Sequence, residues 1–220
     1  MKTDLVIFGT GGHAREVADA VLANIVDGAN LNLIGYLDQA KKVESVDEYP
    51  VLGNESWLIN NPKTKVVVAI GNPSNRLRVV KTIIAKAGVS RFQSVVHPDA
   101  NVGRNCRIGT GAMIFAGSIL TCEVLVGDHA IINIGSTLSH EVSLDNFVTL
   151  APKCAICGAV SLGEGADIGA GTTIIQGISI GAWSVVGAGA VVINDIPPNT
   201  TAVGCPASVI KERSRGWHEA

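Results

Sequence analysis

Two patterns of apolar and polar positions divide the chain. From residue 96 to residue 192 every sixth position is Val, Ile or Leu, opening with Val96, Val102, Ile108 and Ile114 and closing with Ile180, Val186 and Val192, without an insertion. A period of six matches neither the 3.6 of an amphipathic helix nor the 2.0 of a half-buried strand. It predicts a solenoid of short strands, a parallel β-helix, in which three hexapeptides close one triangular coil and each opening aliphatic points inward. The residue four places on is small or aliphatic, as at Ala100, Cys106, Ala112, Ser118 and Val124, which marks a second inward position. Glycine directly follows the aliphatic at Gly103, Gly109, Gly127, Gly163, Gly169, Gly181 and Gly187, where permissive dihedrals are expected to turn a corner. Each ladder is buried only by the coils above and below, so the array must fold as a unit.

The first ninety residues follow another rhythm. An apolar strand over 5–8 runs into Gly9-Thr10-Gly11-Gly12 and a helical pattern over 13–25. A second strand, 31–37, ends at Asp38, and a third, 66–70, ends at Gly71-Asn72. Ser74 is expected to cap a helix that runs to about Ala87 and stops at Gly88. Strands alternating with helices predict a small parallel, Rossmann-like α/β sheet over 1–92, followed by the coil and a C-terminal tail over 93–220. The three strand ends carry glycine-rich, acidic and Gly-Asn turns, and α/β sheets bind ligands at such ends.

Composition narrows the function. A net charge of -2 and a pI near 6.2 give no electrostatic case for nucleic acid. No apolar run reaches the roughly 18 residues of a membrane span. Met1-Lys2-Thr3-Asp4 leads directly into a strand, so no secretory signal is expected and a cytoplasmic location is. The five cysteines, an odd number, are expected to be reduced thiols. Cys154 and Cys157 have Cys-x-x-Cys spacing, but Cys154 falls on an inward position and no second pair completes a zinc site. No metal is expected.

The turn at residues 9–12 has the make-up of a phosphate cradle at a helix N-terminus. It is not a full dinucleotide fingerprint, since Ala14 and Arg15 stand where the third glycine would be sought. Within the coil, Ser139-His140-Glu141 stands out. His140 falls at a turn and has neutral-range acid–base capability, with His97, His13 and His129 as competitors. Glu141 could orient its ring, although adjacent side chains on an extended strand diverge.

These residues, with the opening Ile7-Phe8-Gly9-Thr10-Gly11-Gly12-His13, the Ala69-Ile70-Gly71-Asn72 turn and the terminal Gly204-Cys205-Pro206-Ala207, resemble one family across nearly the whole chain. It is the bacterial left-handed β-helix acetyltransferases that N-acetylate nucleotide-linked 4-amino-4,6-dideoxysugars, grouped with sialic acid O-acetyltransferases. The resemblance implies a nucleotide-sugar-binding first domain, acetyl-CoA as donor, and a cytoplasmic homotrimer with its active sites between subunits. It implies His140 as general base supported by Glu141, and Gly158, Thr149, Ala170 and Ala188 along the cofactor, with the Gly158 N–H facing the thioester carbonyl. For the sugar nucleotide it implies Gly11, Gly12, His13, Asp38, Gln39 and Gly71, with Asn133 near the acceptor sugar. Gln39 departs from the family's acidic pair, which leaves uridine and guanosine both open. The amine would attack the thioester directly, without an acyl-enzyme.

Three other readings compete. O-acetylation of a sialic acid or another sugar would use the same base and donor. A non-catalytic scaffold or antifreeze-like coil would need a regular polar ladder, which the irregular exposed positions lack. A metal-dependent variant like carbonic anhydrase would need three converging histidines, and His97, His129 and His140 fall at different phases of the repeat.

Overall fold

The computed structural model describes residues 2–40 and 43–219. At the N-terminus, β1 (Thr3–Phe8), α1 (Gly12–Val26), β2 (Leu31–Leu37), β3 (Ser45–Val46), β4 (Tyr49–Gly53), α2 (Trp57–Asn60), β5 (Lys65–Val68) and α3 (Pro73–Ala87) follow one another. The strands form a sheet in the order β3-β4-β2-β1-β5, parallel except for the β3–β4 pair. The hairpin of β3 and β4 and the short α2 were absent from the sequence expectation. The α3 cap also differs: Asn72, not Ser74, accepts the Asn75 N–H, at 3.0 Å, and Pro73 opens the helix. Pro fits there because the first helical N–H lacks a partner in any case.

The repeat builds a left-handed parallel β-helix with three faces. Face I stacks Val95–Val96, Met113–Ile114, Ile131–Ile132, Thr149–Leu150, Asp167–Ile168 and Val185–Val186. Face II runs from Asn101–Val102 to Val191–Val192, and face III from Arg107–Ile108 to Ser179–Ile180. The expected inward residues are inward: Leu120, Ile132, Leu138 and Leu150 are fully buried, as are Val124, Val142 and Val160 at the second position. A hairpin of Thr200–Gly204 and Ala207–Glu212 closes the last coil on face I.

The corner glycines are needed for a reason other than the one expected. From Val102 to Val186, positive φ falls three residues after each aliphatic, at Asn105, Glu123, Glu141 and Lys153 among others, not on the glycine that follows the aliphatic. What Gly109 and Gly127 supply is room. A Cβ would lie 2.6 Å from Asp128 N at Gly109 and 2.5 Å from Asp145 C at Gly127. These glycines let one coil rest directly on the next.

The two parts share a buried joint. Helix α1 packs Ala14, Val17 and Ala18 against Met113, Phe115 and Ile131 of face I. Helix α3 and β5 meet Phe147 and Trp183, which occupy corners between faces III and I. At the centre Arg76 is 0% exposed. Its Nε donates to the His129 carbonyl (2.9 Å), Nη1 to the carbonyls of Ile70 and Gly71 (both 2.7 Å), and Nη2 to the Phe147 carbonyl and Thr149 Oγ1 (both 2.8 Å). Burial pulls its pKa down to about 9, partly opposed by Asp167. At neutral pH the guanidinium stays charged, and every N–H has an acceptor.

Candidate functional site

The chemically capable residues fall into two groups on different sides of the molecule. The first lines a cavity of about 470 Å³ at the C-terminal ends of β1, β2 and β5. Gly11, Gly12, His13, Asp38, Gln39 and Gly71, all singled out from the sequence, border it together. Gly9 is required here because its φ is +117° and a Cβ would lie 2.9 Å from the Ala69 carbonyl. Gly11 precedes α1 without a side-chain cap. The first-turn N–H groups of the helix therefore remain open to an anion.

Asp38 is held at the rim: Thr10 Oγ1 donates to its Oδ2 at 2.8 Å and the Ala40 N–H to its Oδ1 at 2.9 Å. His13 leans 5.5 Å from the Phe115 ring, so the wall of the cavity touches the coil. Burial lowers the His13 pKa, against the hydrogen bond to Glu16, and its Nε2 has no partner among the described residues. Arg78 and Asn75 also line the cavity, joined at 3.0 Å. Sequence reasoning missed both. Arg78 supplies the cation that an anionic ligand would meet.

The second group occupies the edge between faces II and III. His140 Nδ1 lies 3.0 Å from Glu141 Oε2, and both side chains are about three-fifths exposed, at 61% and 62%. Adjacent side chains converge here because Glu141 adopts φ 61°, which turns its carboxylate back toward the ring. With Nδ1–H donated to the carboxylate, Nε2 keeps a free lone pair toward solvent. Gly158 lies one coil on beneath the ring, where a Cβ would come within 2.5 Å of His140 Nε2. Its N–H has no hydrogen-bond partner among the described residues.

The remaining sequence candidates lie elsewhere. Ala170 and Ala188 are exposed on the edge between faces I and II, not on the His140 edge. Asn133 follows Ile132 on that same edge, and its Nδ2 donates to the Leu150 carbonyl at 3.1 Å. Thr149 is 6% exposed and its hydroxyl is committed to Arg76 and the Gly71 carbonyl. His129 is buried between Phe92 and Phe147, and desolvation pulls its pKa down to about 4. His97 and His129 lie on other edges than His140, and no metal-holding group of three His, Cys, Asp or Glu occurs among the described residues. Cys154 points into the coil, where burial raises its thiol to about 11. No helix among the described residues is long and apolar enough to cross a membrane.

The two groups cannot meet within one chain. The first domain and its cavity are seated on face I, through α1 and Arg76, and the edge between faces II and III is the corner of the triangle opposite face I.

Comparison with known proteins gives this arrangement a context. The family model described as the PglD N-terminal domain matches residues 4–83. No curated protein matches the chain by sequence. Among solved structures, the perosamine N-acetyltransferase of Caulobacter crescentus, crystallised as a histidine-to-asparagine mutant with CoA and GDP-perosamine, superposes with a TM-score of 0.86. It is 31% identical, over 95% of this chain and 97% of that one. The acetyltransferase domain of PglB from Neisseria gonorrhoeae is similar at 30% identity and a TM-score of 0.85, over 95% of this chain and 100% of that one. WeeI from Acinetobacter baumannii is similar at 26% identity and a TM-score of 0.84, over 94% and 99%.

Proposed function

The chain belongs to the bacterial sugar acetyltransferase family, and from that premise we propose that it N-acetylates the C4 amine of a nucleotide-linked 4-amino-4,6-dideoxysugar, UDP- or GDP-linked. It is an acyltransferase that takes the acetyl group from acetyl-CoA. The observation that carries the finer reading is the pair of separated half-sites: an anion-ready cavity on face I and an accessible imidazole on the opposite edge. Residues 1–92 would bind the nucleotide and residues 93–220 would carry the chemistry.

In that reading the pyrophosphate lies against the N–H groups of Gly12 and His13, near Arg78. The nucleoside reaches Asp38 and Gln39 at the end of β2, and the sugar leaves past Gly71 toward Asn133. The sheet order supports this polarity, because β5 is the edge beside the coil and β2 lies beyond β1. Acetyl-CoA supplies the acetyl thioester. Ala170 and Ala188 are exposed on their edge, as an extended ligand needs, whereas Gly158 lies buried beneath the His140 ring and the Thr149 hydroxyl serves the joint between the two parts. His140 Nε2 would take the proton released by the sugar amine, while Glu141 holds Nδ1 and stabilises the imidazolium. The Gly158 N–H would donate to the oxygen on which charge develops, worth about 3 kcal/mol in comparable sites.

Because one chain holds its cavity and its histidine on opposite sides, a complete site takes residues from two chains. A homotrimer with sites between subunits satisfies that requirement. Ile119 and Leu125, exposed by 43% and 44% on the faces flanking the His140 edge, offer apolar surface for the contact. The test follows thiol release from acetyl-CoA with UDP- and GDP-linked 4-amino-4,6-dideoxysugars, sialic acids and free amino sugars as acceptors. Turnover with a nucleotide-linked amine, lost in His140→Asn while folding and CoA binding persist, is expected. Preferential O-acetylation of a free sugar would replace this reading.

A further inference from the structure

Between α1 and the edge of faces I and II lies a second, smaller cavity of about 140 Å³. Phe115, Ala116, Ala20 and the exposed Ile134 give it an apolar lining, and Glu16, Asp19 and His97 border it. No Lys or Arg is among its lining residues. Glu16 and Asp19 are both exposed, and Asp19 has no hydrogen bond or ion pair among the described residues. Glu16 also holds His13 of the nucleotide cavity at 3.1 Å, so the two cavities share a wall.

A matching cation stands on the edge between faces II and III. Arg104 is the second residue after the strand Asn101–Val102, as His140 is after Thr137–Leu138, and the two strands stack in register through Ile119–Leu120. Its side chain is exposed and forms no hydrogen bond or ion pair among the described residues.

The heights of the two features agree. A sugar that leaves toward Asn133 and meets His140 of another chain brings together the two edges that bound face II. Chains joined in this way close into a ring about an axis parallel to the coil, and rotation about that axis preserves height. Asn133 and His140 belong to one coil. Two coils toward the N-terminus, Asn133 is replaced by His97 and His140 by Arg104. The free cation of one chain therefore arrives at the acidic cavity of the next.

We infer that Arg104 of one chain docks in this cavity of a second copy, its alkyl stem against Phe115 and Ile134 and its guanidinium between Glu16 and Asp19. The contact sets the height at which His140 faces the neighbouring nucleotide cavity. This rests on the two-chain reading given above. Arginine suits the seat because its stem covers apolar surface while its head stays with polar groups. Charge pairs across an interface fix register and exclude wrong pairings.

The test is a charge-reversal cycle with Arg104→Glu, Asp19→Arg and the two combined, reading the concentration at which oligomers dissociate by sedimentation. Arg104 lies about 10 Å along the axis from His140, two strand spacings away, so the reversal leaves the reacting groups untouched. Each single reversal should raise the dissociation midpoint about 10-fold or more, and the combination should restore it in large part. Lys63→Glu, a reversal in the loop between α2 and β5, should leave it unchanged. Arg104→Ala repeats the measurement without the added charge should circular dichroism show that the reversal disturbs the fold. A wild-type midpoint in the Arg104 variants overturns the inference. So do single reversals that weaken assembly without recovery in the combination, or an equal shift in Lys63→Glu. A wild-type protein that is monomeric at micromolar concentration defeats the two-chain reading as well. Intact oligomers that acetylate no nucleotide amino sugar defeat the functional reading while the cycle still decides the docking.

Discussion

At the edge between faces III and I the left-handed corner positions hold His129, Phe147 and Trp183, whereas at the edge between faces II and III they hold Glu123, Glu141 and Ala159. The backbone at these corners is equivalent, with φ between 55° and 61° in all six. Left-handed backbone costs an L-residue energy wherever it occurs, and the coil imposes it on every edge. What differs is the cover. On the first edge the rings are buried against the first domain: His129 stacks on Phe147 and meets Phe92 edge-on, and Trp183 stacks on His218 of the tail. On the second edge the same turn is left in solvent, and there it brings Glu141 back onto His140. One repeat thus supplies a structural seam and a candidate catalytic edge, distinguished only by what packs on each.

Four substitutions or conditions would break or sharpen that contrast. The largest expected effect is at the seam. Arg76→Ala would leave the buried carbonyls of His129 and Phe147, and that of Ile70, without a donor, and its removal should cost about 3–5 kcal/mol, read from urea unfolding curves. A loss below about 1 kcal/mol would mean that the joint is not held from Arg76.

On the exposed edge, Gly158→Ala would push a methyl group into the His140 ring. Turnover should drop about 100-fold, the scale of a misplaced reacting group, with little change in melting temperature because the displaced ring is in solvent. A large stability loss with normal turnover would reverse the assignment of that edge.

The two edges should also respond differently to acid. His129 in the fold is depressed to about 4 by burial, while its unfolded value is near 6.5. Above about pH 6.5 both states are neutral at this site, and as pH falls toward 4 only the unfolded state binds the proton, so stability is lost. The loss should reach roughly 3 kcal/mol, offset in part by Asp167, whose raised pKa favours the fold as pH falls. Melting temperatures from pH 7.5 to 4.5 should fall less steeply in His129→Phe than in the wild type. Equal slopes would exclude His129 as the source.

The smallest effect is at Glu141. Glu141→Gln keeps a hydrogen-bond acceptor for Nδ1 but removes the charge, and solvent exposure limits the cost to about tenfold in turnover. Its signature should be a lower kcat with the unfolding curve unchanged.

The sequence made the coil legible because its period is local: each hexapeptide carries its own inward pair. The cavity was legible for the same reason, since Gly11, Asp38 and Gly71 sit at the ends of three recognisable strands. The seam was not. The long-range partners of Arg76, at His129, Phe147 and Thr149, lie 53, 71 and 73 residues away, and two of them are backbone carbonyls that no side-chain identity announces. One signal was present in the sequence. Arg76 shares a buried stripe with Val79, Val80 and Ile83 on α3, so a cation stands where an aliphatic is expected. The corner glycines misled for a physical reason too, since glycine is used both for positive φ and for close approach, and spacing does not separate the two. Thr149 was expected beside a cofactor, and its burial under Arg76 became visible only once the two parts were seen together.

The central claim is that a complete site draws its cavity from one chain and His140 from another. Co-expressing His140→Asn chains with Gly11→Trp chains tests this most directly, since Gly11 lines the cavity and a Cβ there would meet nothing within 4 Å, which leaves an indole free to block the nucleotide. Each variant alone should be folded and inactive in acetyl transfer. Mixed oligomers, verified by native mass, should recover activity that neither parent has, because some sites then pair an intact cavity with an intact histidine. Mixed oligomers that form and stay inactive would contradict the account.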